Sequence, residues 1–182
     1  MKRLFLAVTL ILACQLALPA SAAAGSPAHQ FDFLIGTWDV EVIPKVSSLA
    51  AMIHGQPKLQ GTWKAWSAFD GRGVVDELKV IDSSGNPKAY THSLRLYDAD
   101  SQRWLISALD VYRARVSQAQ GVAVDGELQI DGQGNSHDGS RFLTRTRFTQ
   151  ISQSGFTMQQ DRSFDDGVSW EQDALVIIAS RS

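Results

Sequence analysis

The chain predicts an all-β fold: one antiparallel barrel of about ten strands preceded by a short N-terminal helical plug. Three observations carry this prediction. From Gly36 the residues alternate, with Trp38, Val40 and Val42 on one side and Thr37, Asp39 and Glu41 on the other, the period of a half-buried strand. Beyond residue 60 such segments recur between short turn signals, Asp70-Gly-Arg-Gly73, Ser83-Ser-Gly-Asn-Pro87 and Asp98-Ala-Asp-Ser101 among them, as in a meander. Helical periodicity is nearly missing, and closing the sheet on itself removes the edges it would otherwise expose.

Taken in order, the chain opens with Met1-Lys-Arg, continues through an apolar run from Leu4 to Ala13 and reaches Ala20-Ser-Ala22. This is the pattern of a secretory signal peptide, expected over residues 1–22. Its apolar core is short for a membrane span, and no later segment approaches the length a transmembrane helix needs. Cleavage after Ala22 leaves residues 23–182, one domain's worth of chain. Of the 17 basic residues, Lys2 and Arg3 leave with the signal, so 15 face 19 acids and the formal charge is −4. With no long Lys/Arg cluster, that balance argues against a nucleic-acid partner. The single cysteine, Cys14, lies in the signal. An exported chain without disulfides is expected in the bacterial periplasm or secreted. Ile11-Leu-Ala-Cys14 also resembles a lipoprotein processing site, which would anchor the chain through Cys14. The bulky Leu12 and the apolar residues after the cysteine favour simple cleavage.

Residues 23–30 are expected to form a disordered linker, and the barrel domain to fill 31–182. Phe31, Phe33 and Leu34 fit one face of a helical turn, the plug. Residues 44–59 interrupt the alternation as an insertion, with a brief helix over 47–53 started by Ser47 and stopped at Gly55 and Pro57. Strands are then expected from residue 60 to Phe69, over 74–81, from Tyr90 through His92, Leu94 and Leu96, and over 104–109, 112–117, 122–124 and 127–130. The pair Asp125-Gly126 is a tight-hairpin signal. The run 131–139 reads as a polar loop, and 141–150, 155–163 and 169–180 complete the set.

A Gly-x-Trp opening at Gly36 and Trp38, with a late basic residue, resembles the lipocalin or calycin barrels. More of the chain fits: Phe31 to Val40, Asp70 to Glu77, Ser93-Leu-Arg-Leu-Tyr-Asp98 with Trp104, Arg162 to Trp170 and the terminal Arg181. As an ordered set these resemble a family of bacterial exported proteins, a domain of unknown function with a lipocalin-like (calycin-type) β-barrel. The resemblance implies a ligand-sized cavity and no particular activity. It also implies that Arg181 lies over Trp38, a cation-π contact worth about 0.5 to 2 kcal/mol.

Ser163-Phe-Asp-Asp-Gly-Val-Ser-Trp170 resembles the Asp-box of sialidases, a folded hairpin in which the aspartate takes turn donors and the tryptophan packs beneath. Ser163, Asp165, Gly167 and Trp170 are therefore assigned a structural role, since one copy of a folding motif carries no activity. Aligning Gly167 with the calcium-loop glycine puts Arg162 and Phe164 where carboxylates belong, which excludes that reading. His29, His54, His92 and His137 lack partners at metal-ligand spacing, and His137 sits in a polar run rather than on a late strand where it could ligate haem. No metal or cofactor is expected. The familiar hydrolase, nucleotide and zinc-protease signatures are missing, and no catalytic residue is assigned.

What remains is a set that alternation can turn inward. Glu77 (or Asp76), His92, Arg95 and Arg147 are candidate polar contacts, and Trp63, Tyr90, Trp104 and Tyr112 candidate apolar walls. Arg95, Arg147 and Glu77 buried together would make a polar floor for a carboxylate or carbonyl. A register error of one residue exchanges faces, and solvated cross-strand pairs are the competing reading of the same charges. The expectation is a barrel binding a small, apolar or amphipathic ligand without catalysis. Two alternatives stay open: an isomerase or hydrolase using Glu77 or Asp76 with His92, and an envelope interaction module with a filled core. The sequence leaves oligomeric state open.

Overall fold

The computed structural model describes residues 26–124, 127–136 and 139–182. The expected signal peptide with Cys14, residues 23–25 of the linker, the Asp125-Gly126 turn and His137 lie outside the described residues. Ten strands run in chain order: β1 (Gly36–Pro44), β2 (Leu59–Ala68), β3 (Gly73–Asp82), β4 (Pro87–Asp98), β5 (Arg103–Asp110), β6 (Arg115–Val124), β7 (Glu127–Asn135), β8 (Arg141–Thr149), β9 (Gly155–Ser163) and β10 (Glu171–Arg181). Each pairs antiparallel with its sequence neighbours and β10 returns to β1, closing the barrel. Closure gives every strand a partner on both sides, although the β6–β7 ladder stops at Ala119↔Gly132, short of the rim.

Two 3-10 turns, Pro27–His29 and Asp32–Leu34, precede β1. The second plugs the barrel end where β1 begins and β10 finishes, and Phe31 and Leu34 are fully buried there. We call this end the base and the other the rim. Fully burying each such side chain is worth about 1.5 to 3 kcal/mol. Residues 26–30, expected within the disordered linker, are instead ordered: the Trp104 indole N–H reaches the Pro27 carbonyl and the Gln30 side-chain oxygen, each at 3.2 Å. A buried indole needs an acceptor, and this turn supplies one.

The helix in the 44–59 insertion is α1 (Ser48–His54), capped by Ser47, whose hydroxyl accepts the Ala50 N–H at 3.2 Å. Leu49, Met52 and Ile53 remain exposed, so α1 does not bury an apolar face over the barrel. Two expectations about strands need correction. The segments 112–117 and 122–124 belong to one strand, β6, and Tyr112 lies in the turn before it. The run 131–139 is not a loop throughout, because β7 extends to Asn135. Its glycines serve packing: a Cβ at Gly134 would overlap the Phe142 ring, and one at Gly132 would crowd Ala119 and Thr144 at 3.0 Å.

Candidate ligand site in the barrel interior

At the base the inner face is solid. Trp38, Trp104, Phe31 and Phe156 are buried to 2% exposure or less, and Phe31 meets Trp104 edge to face with centroids 4.8 Å apart, an arrangement favoured by the ring quadrupoles. The Trp38 N–H donates to the Leu34 carbonyl at 2.7 Å, fixing plug to strand.

Above the aromatic base stands a buried polar group. Register places Asp76 of β3 opposite Ser93 of β4 and Ala65 of β2, all on the inner face. Trp63 donates its indole N–H to Asp76 Oδ1 at 2.9 Å, and Arg95 Nη1 forms an ion pair with Asp76 Oδ2. Arg95 also lies over the Phe31 ring at 5.0 Å. Burial pushes its guanidinium down to about 9, which still leaves it charged at neutrality. Arg95 Nε is buried and donates to nothing.

Toward the rim the inner face of β4 to β9 becomes mostly small or polar, while Val42 and Val80 keep the β1 and β3 side apolar and buried. Thr91, Ala108, Gly132, Thr144, Gln160 and Arg162 are only half-buried, whereas inner residues at the base are sealed. Gln160 donates to Thr146 Oγ1 at 3.2 Å. Arg162 stacks on Phe142 at 5.1 Å, and its Nε is buried without an acceptor. Burial lowers the Arg162 pKa against the opposing charge of Glu171. The inner face thus carries an aromatic floor, an internal ion pair above it and a second guanidinium nearer the rim. Such a surface can take an apolar body and a hydrogen-bond acceptor.

Trp63, Trp104 and Arg95 are therefore inside, where they build the floor. Five other candidates are not. Glu77, Tyr90 and His92 face outward beside the exposed Tyr112. Tyr90 donates to Glu77 Oε2 at 3.2 Å, His92 Nε2 lies 2.7 Å from the Tyr90 hydroxyl, and Lys79 lies 3.4 Å from Glu77. Burial raises the Glu77 pKa, but hydrogen bonds and charge from Lys79, with Tyr90 and His92, outweigh it and leave it lowered. Arg147 also points out, paired with Asp161 at 2.7 Å and Asp173 at 3.7 Å. The expected floor of Arg95, Arg147 and Glu77 is not assembled, because odd and even positions of one strand lie on opposite faces. For the same reason Asp76 and His92 cannot form an acid-base pair across the sheet.

Arg162, Phe142, Thr144 and Gln160 escaped the sequence reading. Their signal was the inner row of β9, where apolar Phe156 and Met158 continue as Gln160 and Arg162.

The 163–170 hairpin is closed by its own side chains. Asp165 accepts from the Ser163 hydroxyl (2.7 Å), the Ser169 hydroxyl (2.6 Å) and the Ser169 N–H (2.9 Å). Ser163 Oγ takes the Gly167 N–H at 2.8 Å, and Trp170 donates to the Gly167 carbonyl at 3.2 Å. Gly167 adopts φ 90°, a conformation that favours glycine. The Ser169 hydroxyl and N–H, with Ser163, hold the Asp165 carboxyl down at about 2. No bond of the hairpin leaves it for the interior.

Among the described residues no cluster of three or more His, Cys, Asp or Glu is placed to hold a metal, and no helix is long and apolar enough to cross a membrane. No family model and no curated protein matches the chain. Solved structures similar to it include a redesigned β-barrel, mFAP0, bound to DFHBI (11% identity, TM-score 0.42, covering 82% of this chain and 99% of that one). Another is EF1p2_mFAP2b bound to DFHBI (13% identity, TM-score 0.43, covering 86% and 100%). Both likenesses are of barrel architecture alone.

Proposed function

We propose that this chain is an exported barrel that binds one small, partly apolar molecule in the rim half of its interior without transforming it. The observation that carries the reading is the Arg162 guanidinium, whose buried Nε has no acceptor on a half-buried stretch of the inner face beside Phe142, Thr144 and Gln160. An unmet buried donor costs about 1 to 3 kcal/mol, and a carboxylate or carbonyl on a ligand relieves it. The inner apolar side chains Ile106, Ile130 and Met158 suit an aliphatic or aromatic body. A lining that stays partly accessible toward the rim favours a binder over a solid scaffold. The deeply buried inner carboxylate Asp76 is held by Arg95 and Trp63, which favours binding over acid-base chemistry. The ordered motifs from Gly36 to Arg181 support placement among exported lipocalin-like barrels.

The test is native mass spectrometry of the protein purified from its own host, before and after organic-solvent extraction. A stoichiometric mass adduct that extraction removes is expected. A chain at its bare mass, which also fails to bind any of a panel of fatty acids and aromatic acids, would overturn the reading.

A further inference from the structure

The ladder between β6 and β7 stops at Ala119↔Gly132, although both strands run on toward the rim. Residues 115–118 stay paired with β5 as far as Asp110↔Arg115, and 133–135 stay with β8 as far as Asn135↔Arg141. The two strands therefore part, and a cleft of about 960 Å³ lies between them. Along its sides the backbone groups pointing away from β5 and β8 have no strand opposite. An open edge of this kind is a template for an added strand. The run 115–118 offers a length of about 13 Å at 3.3 Å per residue.

The cleft is also cationic. Among the described residues Arg113, Arg115 and Arg141 line it with a single acid, Asp110, which Arg113 already binds at 2.7 Å. Arg115 and Arg141 have no ion-pair partner among the described residues. Gln118 and Gln133 line this cleft and also a second groove of about 1010 Å³, on the outer face, which Leu94, Leu96 and Leu105 share. A chain lying in the split can thus place carboxylates by the arginines and apolar side chains beyond them.

We propose that the β6–β7 split is a strand-addition site for an extended, acidic peptide segment of a partner protein. Backbone hydrogen bonds to the 115–118 edge supply the seat, and Arg115 and Arg141 select for acid. The inference rests on open strand edges and rim charge, not on the interior ligand, so either reading can fail alone.

The experiment is fluorescence anisotropy with the full chain and a labelled short peptide alternating glutamate with valine. It is repeated with the same peptide N-methylated at alternate amides and with lysine replacing glutamate. Saturable binding of the first peptide is expected, weakened about tenfold or more by N-methylation, as the loss of even one or two hydrogen bonds implies, and abolished by lysine. An Arg115→Glu, Arg141→Glu double variant, checked for an unchanged melting temperature, should lose at least about tenfold in affinity. Hydrogen exchange should slow at 115–118 when the peptide is present. No binding, equal affinity of the N-methylated peptide, or unaltered binding to the double variant would overturn the proposal.

Discussion

The Arg181 guanidinium lies 3.9 Å from the centre of the Trp38 ring, in space that Gly36 leaves by carrying no side chain. The two residues are direct partners across β1 and β10, so the last strand clamps the first turn of the first. Arg181 also donates to the Ile35 carbonyl at 3.1 Å. Arg181→Ala should lower the melting temperature through loss of a cation-π contact of about 0.5 to 2 kcal/mol. Gly36→Ala should destabilise more, because its Cβ would overlap the guanidinium and because φ 133° strains any side chain. Thermal melts of the two variants check both; an unchanged Arg181→Ala melt would remove the clamp.

Asp76 and Arg95 should behave as a buried couple. Removing either partner strands a charge inside the barrel, a loss of about 3 to 5 kcal/mol. Replacing both, as Asp76→Leu with Arg95→Met, should recover much of that loss, since paired desolvation disappears too. Urea denaturation of the singles and the double resolves this coupling. Additive losses would show that the pair does not act as a unit.

For Asp165 the folded pKa of about 2 lies below its ordinary value of 3.8. A depressed carboxylate stabilises the fold fully above its unfolded pKa and loses that contribution as pH falls through the folded one. The melting-temperature gap between wild type and Asp165→Ala should therefore hold from neutrality to about pH 4 and close between about pH 4 and 2. A gap independent of pH across that window would contradict the assignment.

The inner and outer faces of β3 and β4 separate ligand contacts from surface pairs, which gives a functional contrast. Glu77→Gln and His92→Ala should leave retention of an interior ligand unchanged, because both side chains face solvent. Arg162→Gln should weaken it about tenfold or more, the scale of a charge-assisted hydrogen bond. Ligand retained by each purified variant, measured by native mass spectrometry, reads the difference. Loss of ligand in His92→Ala would return the outer cluster to the site.

Much of the architecture was legible because the strongest alternations, at Trp38, Val40 and Val42 and at Trp63 and Ala65, do face the core. On β4 the same rule misleads. Leu94 and Leu96 are outside, 45% and 39% exposed, while Ser93 and Arg95 are buried. The interior there holds an ion pair and the exterior an apolar groove, so hydrophobicity points the wrong way and Tyr90 and His92 follow it outward. Gly132 and Gly134 read as loop residues by composition, yet they sit in β7, where a Cβ would crowd Ala119 and Thr144 or overlap the Phe142 ring. Arg162 was hidden for the opposite reason: it lay within a recognised end motif whose other members are structural.

The most direct test is titration of the protein with carboxyl-labelled dodecanoate, followed by nuclear magnetic resonance of the label and of the arginine Nε–H groups. One bound carboxyl signal in contact with the Arg162 Nε–H, saturating at one molecule per chain and lost in Arg162→Gln, is the predicted result. Absence of a bound signal, or one touching only outer-face residues such as Lys79 and Tyr112, would contradict a ligand site within the barrel.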